Sequence, residues 1–379
     1  MTDSSPPRRI ISVPDPSLQA RIVRRVPMHY ADGACTDTDR PDHVRAASSM
    51  AWVGNRIALV QDDVNFVALV DPRTGLADAI ALPAGKNDRR QFDVERGNKK
   101  HKMDTEALTQ VPRDRGVMLV AFGSGSRKSR RDNLITLGFT QHDERPEHET
   151  TSVVSLPELY AALRAESAFA GSDMNIEGAL YVDGMIRLFG RGNGDVLDDL
   201  QPLDATCDIS WPALQAHIAR PDGDNVPDIT RITQYMLGHV DGVPLGFTDA
   251  ILFDAAHLLY SAAAEASKDA ESDGAVGGSA LGVIPHADAP GALVAEEGAR
   301  AGPPQGVGAG RTGGLGLHEG LRHRHQLGRI ADRGQLGSAH RLGHGGAASE
   351  SEGEGGGAEG GAPGRAAAGR RPAHARRQQ

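Results

Sequence analysis

The sequence predicts an all-β fold, a β-propeller with short helical insertions. Four stretches share one pattern, in which a polar residue precedes an apolar run, a tight turn and a second apolar run. They begin at Ser48, Thr105, Ile176 and Thr248. The dipeptides Gly54-Asn55 and Asp183-Gly184 between such runs are typical of hairpin turns. Antiparallel hairpins repeated in series indicate the blades of a propeller.

Each repeat starts from an anchor residue. The anchors are Ser49, Glu106, Glu177 and Asp249, which lie 57, 71 and 72 residues apart. Third apolar runs follow at 65–71, 132–139 and 279–284. The pattern predicts a propeller domain over residues 1–284, with units near 45–105, 106–176 and 177–248 and an incomplete unit at 249–284. The alternative is chance similarity among the hairpins of an α+β protein.

Insertions explain why the repeats are longer than standard propeller blades of about 40–50 residues. The segments 155–170 and 210–220 each carry a proline near their start and apolar residues three or four positions apart. Proline is favoured in the first turn of a helix, and this spacing places the apolar residues on one helical face. Both segments are therefore predicted to be short helices.

The composition changes at about residue 285. The last aromatic residue is Tyr260, and the segment 285–379 consists mainly of Gly, Ala, Arg, His and Glu. Such a segment cannot bury enough apolar surface to offset the entropy of ordering its backbone, so it is predicted to be a disordered low-complexity tail. Two origins stay open: a natural extension, or a reading-frame shift near residue 285 that interrupts a folded repeat.

Charge and cysteine content restrict the class of protein. The formal net charge of −9 favours solubility and argues against a general nucleic-acid-binding role. Cys35 and Cys207 fit no zinc or disulfide spacing. The N-terminus shows no apolar leader, and no stretch reaches the roughly 18 apolar residues of a membrane helix. The expectation is a cytoplasmic protein with no membrane partner.

Several phrases together resemble a known family. The phrases are "SSMAWVGNRIALVQDD", "RGNKKHKMDTEAL", "NIEGALYVDGMIRLFGRGNG" and "VPLGFTDA". They are similar to a family of uncharacterised bacterial proteins predicted to be β-propellers and, more distantly, to phytase-like and esterase-like propellers. The resemblance covers about residues 40–284 and implies a ring of six blades. Since the chain shows four anchors, we expect unpaired blade edges that invite self-association or a protein partner.

A ring would bring the anchors to one channel mouth, together with the loops that follow the second strands. Those loops are 61–65, 123–131, 190–195 and 263–267. Glu106, Glu177 and Asp249 would converge there, and Asp104 and Asn175 would share their face because side chains two positions apart point the same way. Oxygen donors of this kind suit a hard cation, and Ca²⁺ is the predicted ion. The alternative is that the carboxylates accept backbone N–H bonds from the adjoining blade and tie the blades together.

Basic residues beside these acids form a predicted anion-binding rim, with a solvated loop as the alternative. They are Lys99, Lys100, His101, Lys102 and Arg191. The rim and the cation site lead to the first hypothesis, a divalent-cation-dependent hydrolase of phosphate or carboxylic esters that acts on a small anionic substrate. The second hypothesis is a non-catalytic binding or scaffold propeller with structural carboxylates. The residues alone leave open whether the protein is an enzyme.

Overall fold

The structure is a computed structural model. It describes residues 7–16, 18, 20–127, 131–142, 145–267, 274–285 and 300–301. The predicted tail 285–379 falls outside this part of the chain except at residues 285, 300 and 301. Its disorder and the proposed frame shift therefore stay predictions.

Strands make up most of the described residues. In chain order they are β1 (Arg8–Ile11), β2 (Val13–Pro14), β3 (His29–Tyr30), β4 (Ala47–Val53), β5 (Arg56–Gln61), β6 (Phe66–Val70), β7 (Leu76–Ala81), β8 (Thr105–Arg113), β9 (Gly116–Gly123), β10 (Asn133–His142), β11 (Arg145–Ser155), β12 (Ile176–Val182), β13 (Met185–Gly190), β14 (Asp204–Ser210), β15 (Ile229–Met236), β16 (His239–Val240), β17 (Val243–Leu252), β18 (His257–Ala266), β19 (Ala275–Pro285) and β20 (Arg300–Ala301). The α-helices are α1 (Pro157–Ala165), α2 (Ser167–Ala170) and α3 (Trp211–Ala219). Short 3₁₀ turns lie at Lys86–Asp88, Lys99–His101 and Gly223–Asn225.

The described strands form four sheets, which are the blades of a β-propeller, so the predicted fold class is confirmed. Blade 1 has the order β3-β7-β6-β5-β4, blade 2 β11-β10-β9-β8, blade 3 β1-β15-β14-β13-β12 and blade 4 β16-β17-β18-β19-β20-β2. The first long strands of the blades contact one another in turn, β4 with β8, β8 with β12, β12 with β17 and β17 with β4. The described residues thus form four blades, which equals the number of repeats in the sequence. They contain no fifth or sixth blade of the ring that the family resemblance implies.

The hydrophobic cores lie between adjacent blades. One cluster joins blades 1 and 2, a second joins blades 2 and 3, and a third joins blades 3 and 4. The remaining cluster belongs to blade 1 alone and includes Tyr30 and Leu59. Within the described residues, no cluster is shared by blades 4 and 1. That junction is polar instead, where the Ser49 hydroxyl donates a 3.0 Å hydrogen bond to Asp249 Oδ1.

Both predicted helical insertions are present. Pro157 begins α1, Pro212 follows the first residue of α3, and Leu159, Tyr160 and Leu163 of α1 are fully buried in the core between blades 2 and 3. These helices cover that core and do not lengthen the sheets. Among the described residues, no helix has both the length and the apolar character needed to cross a membrane.

The chain before the first repeat adds an outer strand to three blades. Strand β1 pairs in parallel with β15, β2 with β20, and β3 with β7. These parallel neighbours cover Leu76 and Ala77 of β7 and the second half of β15, which shortens the free edges and limits aggregation. Blade 2 has no such cover within the described residues, and β11 is its outermost strand. The repeat pattern predicted no role for this N-terminal segment.

Side chains fasten neighbouring blades through backbone groups. Ser49 Oγ accepts a 3.0 Å hydrogen bond from Leu108 N, and Thr109 Oγ1 accepts one of 2.7 Å from Tyr181 N. Asp204, at the start of β14, accepts a bond of 2.9 Å from Phe247 N in blade 4. Side chains thus do accept backbone N–H bonds from the adjoining blade, as the structural alternative predicts. The acceptors are the two hydroxyls and Asp204, and not Glu106 or Glu177.

Asp204 should make the stability of the protein fall as pH rises. Burial raises the pKa of Asp204 from 3.8 to about 7, although the amides of Phe247 and Gly192 partly oppose this effect. The folded state therefore retains a proton that the unfolded state loses. The resulting stabilisation is complete below pH 3.8 and is lost as pH rises through about 7. Asp204→Asn keeps an oxygen that accepts both amides, so it should match the wild type near pH 4 and be more stable at pH 8, by on the order of 3 kcal/mol.

Urea unfolding between pH 4 and pH 8 measures this effect. Asp204→Ala is the matched control, because it removes the hydrogen bonds as well as the charge and should be less stable than Asp204→Asn at every pH. Parallel stability curves for the wild type and Asp204→Asn would show that Asp204 does not titrate in this range.

Candidate metal centre

The first long strand of each blade contains a β-bulge, which lies at the second residue of β4, β8 and β12 and in the middle of β17. The residue left out of the pairing is Ser48 in β4, Glu106 in β8, Glu177 in β12 and Thr248 in β17. The structural equivalents of Glu106 and Glu177 are thus Ser48 and Thr248, and the alignment that used Ser49 and Asp249 as anchors was wrong by one position. A bulge redirects the extra side chain relative to the pleat. The bulges of blades 2 and 3 place a glutamate at this position.

Three carboxylates from two blades meet at this end of the propeller. Asp62 directly follows β5, Asp104 precedes β8, and Glu106 occupies the bulge of β8, and one oxygen of each lies within 4.8 Å of the others. We call these residues the acidic triad. Asp104 has a φ of +59°, a conformation uncommon for residues other than glycine and often found at functional sites.

Asp104 is the most strongly paired member of the acidic triad. It is 2 % exposed and forms ion pairs with Lys102 and, at 2.6 Å, with Arg131 Nη1, while the Ser124 hydroxyl donates to Oδ2. Burial alone would raise the pKa of Asp104, but the Lys102 ammonium and the Arg131 guanidinium outweigh burial and lower it. Asp104 is therefore a fixed negative charge that holds two cations in place.

Glycine allows Ser124 and Arg131 to lie against Asp104. A Cβ on Gly123 would clash with the carbonyl oxygen of Arg131, so only glycine lets the two residues approach this closely. Gly125 has a φ of +69° and packs against Tyr160. The Gly-Ser stretch thus positions Ser124 and Arg131 against the acidic triad.

Lys102 lies inside the cluster instead of facing solvent. Its side chain is 6 % exposed, and Nζ lies 2.6 Å from Asp62 Oδ2 and also contacts Asp104 Oδ1. Burial would lower the pKa of Lys102, but the surrounding carboxylates of Asp62 and Asp104 raise it above its usual range. Its charge is therefore already shared by two members of the acidic triad.

Glu106 is the member with free acceptor capacity. Its carboxylate accepts no hydrogen bond from the part of the chain that the structure describes. Burial raises the pKa of Glu106 well above its ordinary value, and Asp104, Asp62 and Glu177 raise it further. A second positive charge beside Glu106 would relieve this repulsion.

Glu177 forms a second group with blade 4. Asn175 Nδ2 donates a 2.7 Å hydrogen bond to Glu177 Oε1, which also lies 3.4 Å from Arg191 Nη1. Arg191 Nη2 donates a 2.8 Å bond to Glu265 Oε2. Burial raises the pKa of Glu177 to about 7, although Arg191 partly opposes this shift. Arg191, predicted to bind an anion, is therefore already paired with two carboxylates.

The remaining predicted site residues lie outside the acidic triad. Asp249 pairs with Ser49 across the junction of blades 4 and 1. Lys99, Lys100 and His101 form the 3₁₀ turn that leads into Lys102, and Lys100 is exposed. Of the predicted site residues, Asp104, Glu106 and Lys102 do come together.

Asp62 is the functional candidate that the sequence did not single out. The loop 61–65 was expected at the channel mouth, but its two consecutive aspartates gave no reason to prefer one. In the structure Asp62 contacts Lys102, whereas Asp63 accepts a 2.8 Å hydrogen bond from Arg45 Nε. Only the structure shows which of the two aspartates belongs to the acidic triad.

Together, the acidic triad and the Glu177 group contain more acidic than basic side chains. The acids are Asp62, Asp104, Glu106, Glu177 and Glu265, and the cations are Lys102, Arg131 and Arg191. With every group ionised, two negative charges remain uncompensated. Partly buried carboxylates that outnumber their cationic partners, in a group of oxygen ligands alone, provide the chemistry that a hard divalent cation requires.

Comparison with known proteins places the chain in a family. A search of curated proteins gives no match. A family model described as a family of unknown function, DUF6929, matches residues 43–305, which include the acidic triad and the first long strand of every blade. The match also extends past the domain boundary predicted at residue 284, which stays a prediction. The chain belongs to the family of unknown function DUF6929.

Proposed function

We propose that this propeller binds a divalent cation at the acidic triad and that the bound ion is Ca²⁺. The observation that carries the proposal is Glu106, a half-buried carboxylate beside Asp62 and Asp104 that accepts no hydrogen bond from the described residues. Ca²⁺ takes about 6–8 oxygen ligands and tolerates irregular geometry. The carboxylates of Asp62 and Glu106 would supply protein ligands, and Asp104 would hold Lys102 and Arg131 beside them.

The reaction class that we propose is hydrolysis of phosphate or carboxylic esters. A cation bound at this position would polarise the ester oxygen and stabilise the negative charge that develops on it. Lys99, Lys100 and His101 lie directly before Lys102 along the chain, and a basic rim there would attract a small anionic substrate. The distant resemblance to phytase-like and esterase-like propellers supports the same class.

A specific observation favours the non-catalytic alternative. The Lys102 ammonium already bridges Asp62 and Asp104, as a bound cation would, and the Arg191 guanidinium bridges Glu177 and Glu265. In that case the ion pairs of Lys102 join blades 1 and 2, and those of Arg191 join blades 3 and 4. The protein would then act as a binding or scaffold propeller.

Thermal unfolding with Ca²⁺ tests the proposal. In metal-free full-length protein, Ca²⁺ should raise the melting temperature in a concentration-dependent way, since an ion at 100 times its dissociation constant stabilises the folded state by about 2.7 kcal/mol. Glu106→Gln should fold normally, because it removes a charge and breaks no hydrogen bond with the described residues, but Ca²⁺ should no longer raise its melting temperature. Glu95→Gln, in an exposed loop, is the matched control and should respond like the wild type.

Two further outcomes separate the hypotheses. Ca²⁺-dependent hydrolysis of p-nitrophenyl phosphate or p-nitrophenyl acetate, lost in Glu106→Gln, supports the enzyme. Stabilisation by Ca²⁺ without hydrolysis supports a cation-binding scaffold. If Ca²⁺ leaves the melting temperature of folded wild-type protein unchanged, the acidic triad does not bind Ca²⁺.

A further inference from the structure

Two histidines lie directly opposite each other on the outer edge of blade 1. His29 belongs to β3 and pairs in antiparallel fashion with His43. Tyr30 N donates a 3.0 Å bond to Asp42 O, and Val44 N donates a 3.0 Å bond to Met28 O. These bonds flank the histidine pair, so it is the non-hydrogen-bonded type, in which opposing side chains approach most closely, with Cα atoms about 4.5 Å apart.

The backbone holds this pair in place while the rings remain accessible. On its other side β3 is fixed to β7, where His29 N donates a 3.0 Å bond to Gly75 O. Buried Tyr30, next to His29, belongs to the core cluster of blade 1. Both histidines are exposed, and their ring centroids are 6.4 Å apart with the rings edge to face.

A carboxylate orients one of the rings. Asp42 Oδ1 pairs with His43 Nδ1, which leaves Nε2 as the nitrogen of His43 that can bind a metal. A carboxylate bound to the second nitrogen of a histidine ligand is a common feature of metal sites, because it fixes the ring and increases the basicity of the ligand. Asp42 therefore fixes the His43 ring with Nε2 available to a metal ion.

We propose that His29 and His43 form a second metal site, which takes a borderline divalent ion of the Zn²⁺ class. Imidazole nitrogens favour Zn²⁺ over Ca²⁺, so the two sites differ in ligand chemistry as well as in position. A shared tetrahedral ion about 2 Å from one nitrogen of each ring sets the ring centroids about 5 Å apart. Rotation of the exposed rings from 6.4 Å closes this gap without movement of the backbone. Water completes the coordination.

Calorimetric titration of Zn²⁺ into full-length protein, purified without a histidine tag and kept in excess Ca²⁺, tests the site. Wild type should bind one more Zn²⁺ ion than His29→Ala or His43→Ala. The double variant should bind no less Zn²⁺ than either single variant, because a two-ligand site needs both rings. Asp42→Asn should retain the site with affinity reduced about tenfold.

His148→Ala is the matched control. His148 is also an exposed strand histidine, but it lies opposite Phe139 and bonds to Thr151 Oγ1 at 2.8 Å. Its removal should leave Zn²⁺ binding unchanged. If His29→Ala and His43→Ala retain the wild-type stoichiometry while their circular dichroism shows folded protein, the site does not exist. This outcome would not affect the acidic triad, which shares no residue with the histidine pair.

Discussion

Replacing Lys102 with methionine should destabilise the metal-free protein by about 3–5 kcal/mol, the usual effect of leaving a buried charge without its partner. Lys102 is 6 % exposed and is the ammonium that Asp62 and Asp104 share. Methionine fills a similar volume but leaves the acidic triad with Arg131 as its remaining cation. The repulsion among Asp62, Asp104 and Glu106 then opposes folding.

Ca²⁺ should reverse most of this loss. In the wild type the Lys102 ammonium competes with any cation for the oxygens of Asp62 and Asp104, so Lys102→Met should bind Ca²⁺ more tightly than the wild type. Urea unfolding in chelator and in Ca²⁺ measures both effects. Lys100→Met removes an exposed lysine from the same segment and should change stability by less than about 0.5 kcal/mol. A destabilised Lys102→Met that gains nothing from Ca²⁺ would mean that Lys102 is a structural counter-ion and that the acidic triad holds no metal.

The fold could be predicted because each hairpin is encoded locally. Asp183 and Gly184 have φ values of +50° and +76°, as a two-residue hairpin turn requires, and the sequence shows this turn directly. The recurrence of such hairpins then defines the ring. The proline-marked helices also follow from short-range signals.

The bulges could not be predicted because they add one residue without changing the apolar pattern. The sequence pattern aligns Ser49 with Glu106. In the strand pairing, however, the residue that occupies the same bulge position as Glu106 is Ser48. A shift of one residue in a strand reverses the face that a side chain occupies. This is why Asp249 was expected with the glutamates, although it lies against Ser49.

The acidic triad was partly predictable for a related reason. Asp104 and Glu106 are two residues apart along the chain, so their proximity is visible in the sequence, but the positive φ of Asp104 and the bulge at Glu106 set the directions of the two side chains. Asp62 and Lys102 depend on how blades 1 and 2 meet, and this is a long-range property of the ring. Sequence spacing contains no information about which charged side chains pair across a blade junction. The expected anion-binding role of Lys102 accordingly did not anticipate its two carboxylate partners.

Deleting residues 1–16 should be the most damaging change outside the acidic triad. The deletion removes β1 and β2 and leaves the outer edges of β15 and β20 without their parallel partners. It also removes Ile10, which is 7 % exposed and packs in the core between blades 3 and 4. Burial of such a side chain contributes about 1.5–3 kcal/mol, and each lost hydrogen bond about 1 kcal/mol more. We expect a large fall in melting temperature, together with concentration-dependent aggregation at the exposed edges.

Substitutions in β1 separate lost packing from an exposed edge. Ile10→Ala should cost about 2–4 kcal/mol, because it leaves a cavity between blades 3 and 4. The neighbouring Ile11→Ala should have almost no effect, since Ile11 is 58 % exposed on the opposite face of the strand. Neither substitution uncovers β15, so light scattering should show aggregation only for the deletion. Equal losses from Ile10→Ala and Ile11→Ala in urea unfolding would mean that β1 does not dock on blade 3 in the observed register. A deletion variant as stable as the wild type would mean that the segment contributes nothing to the propeller.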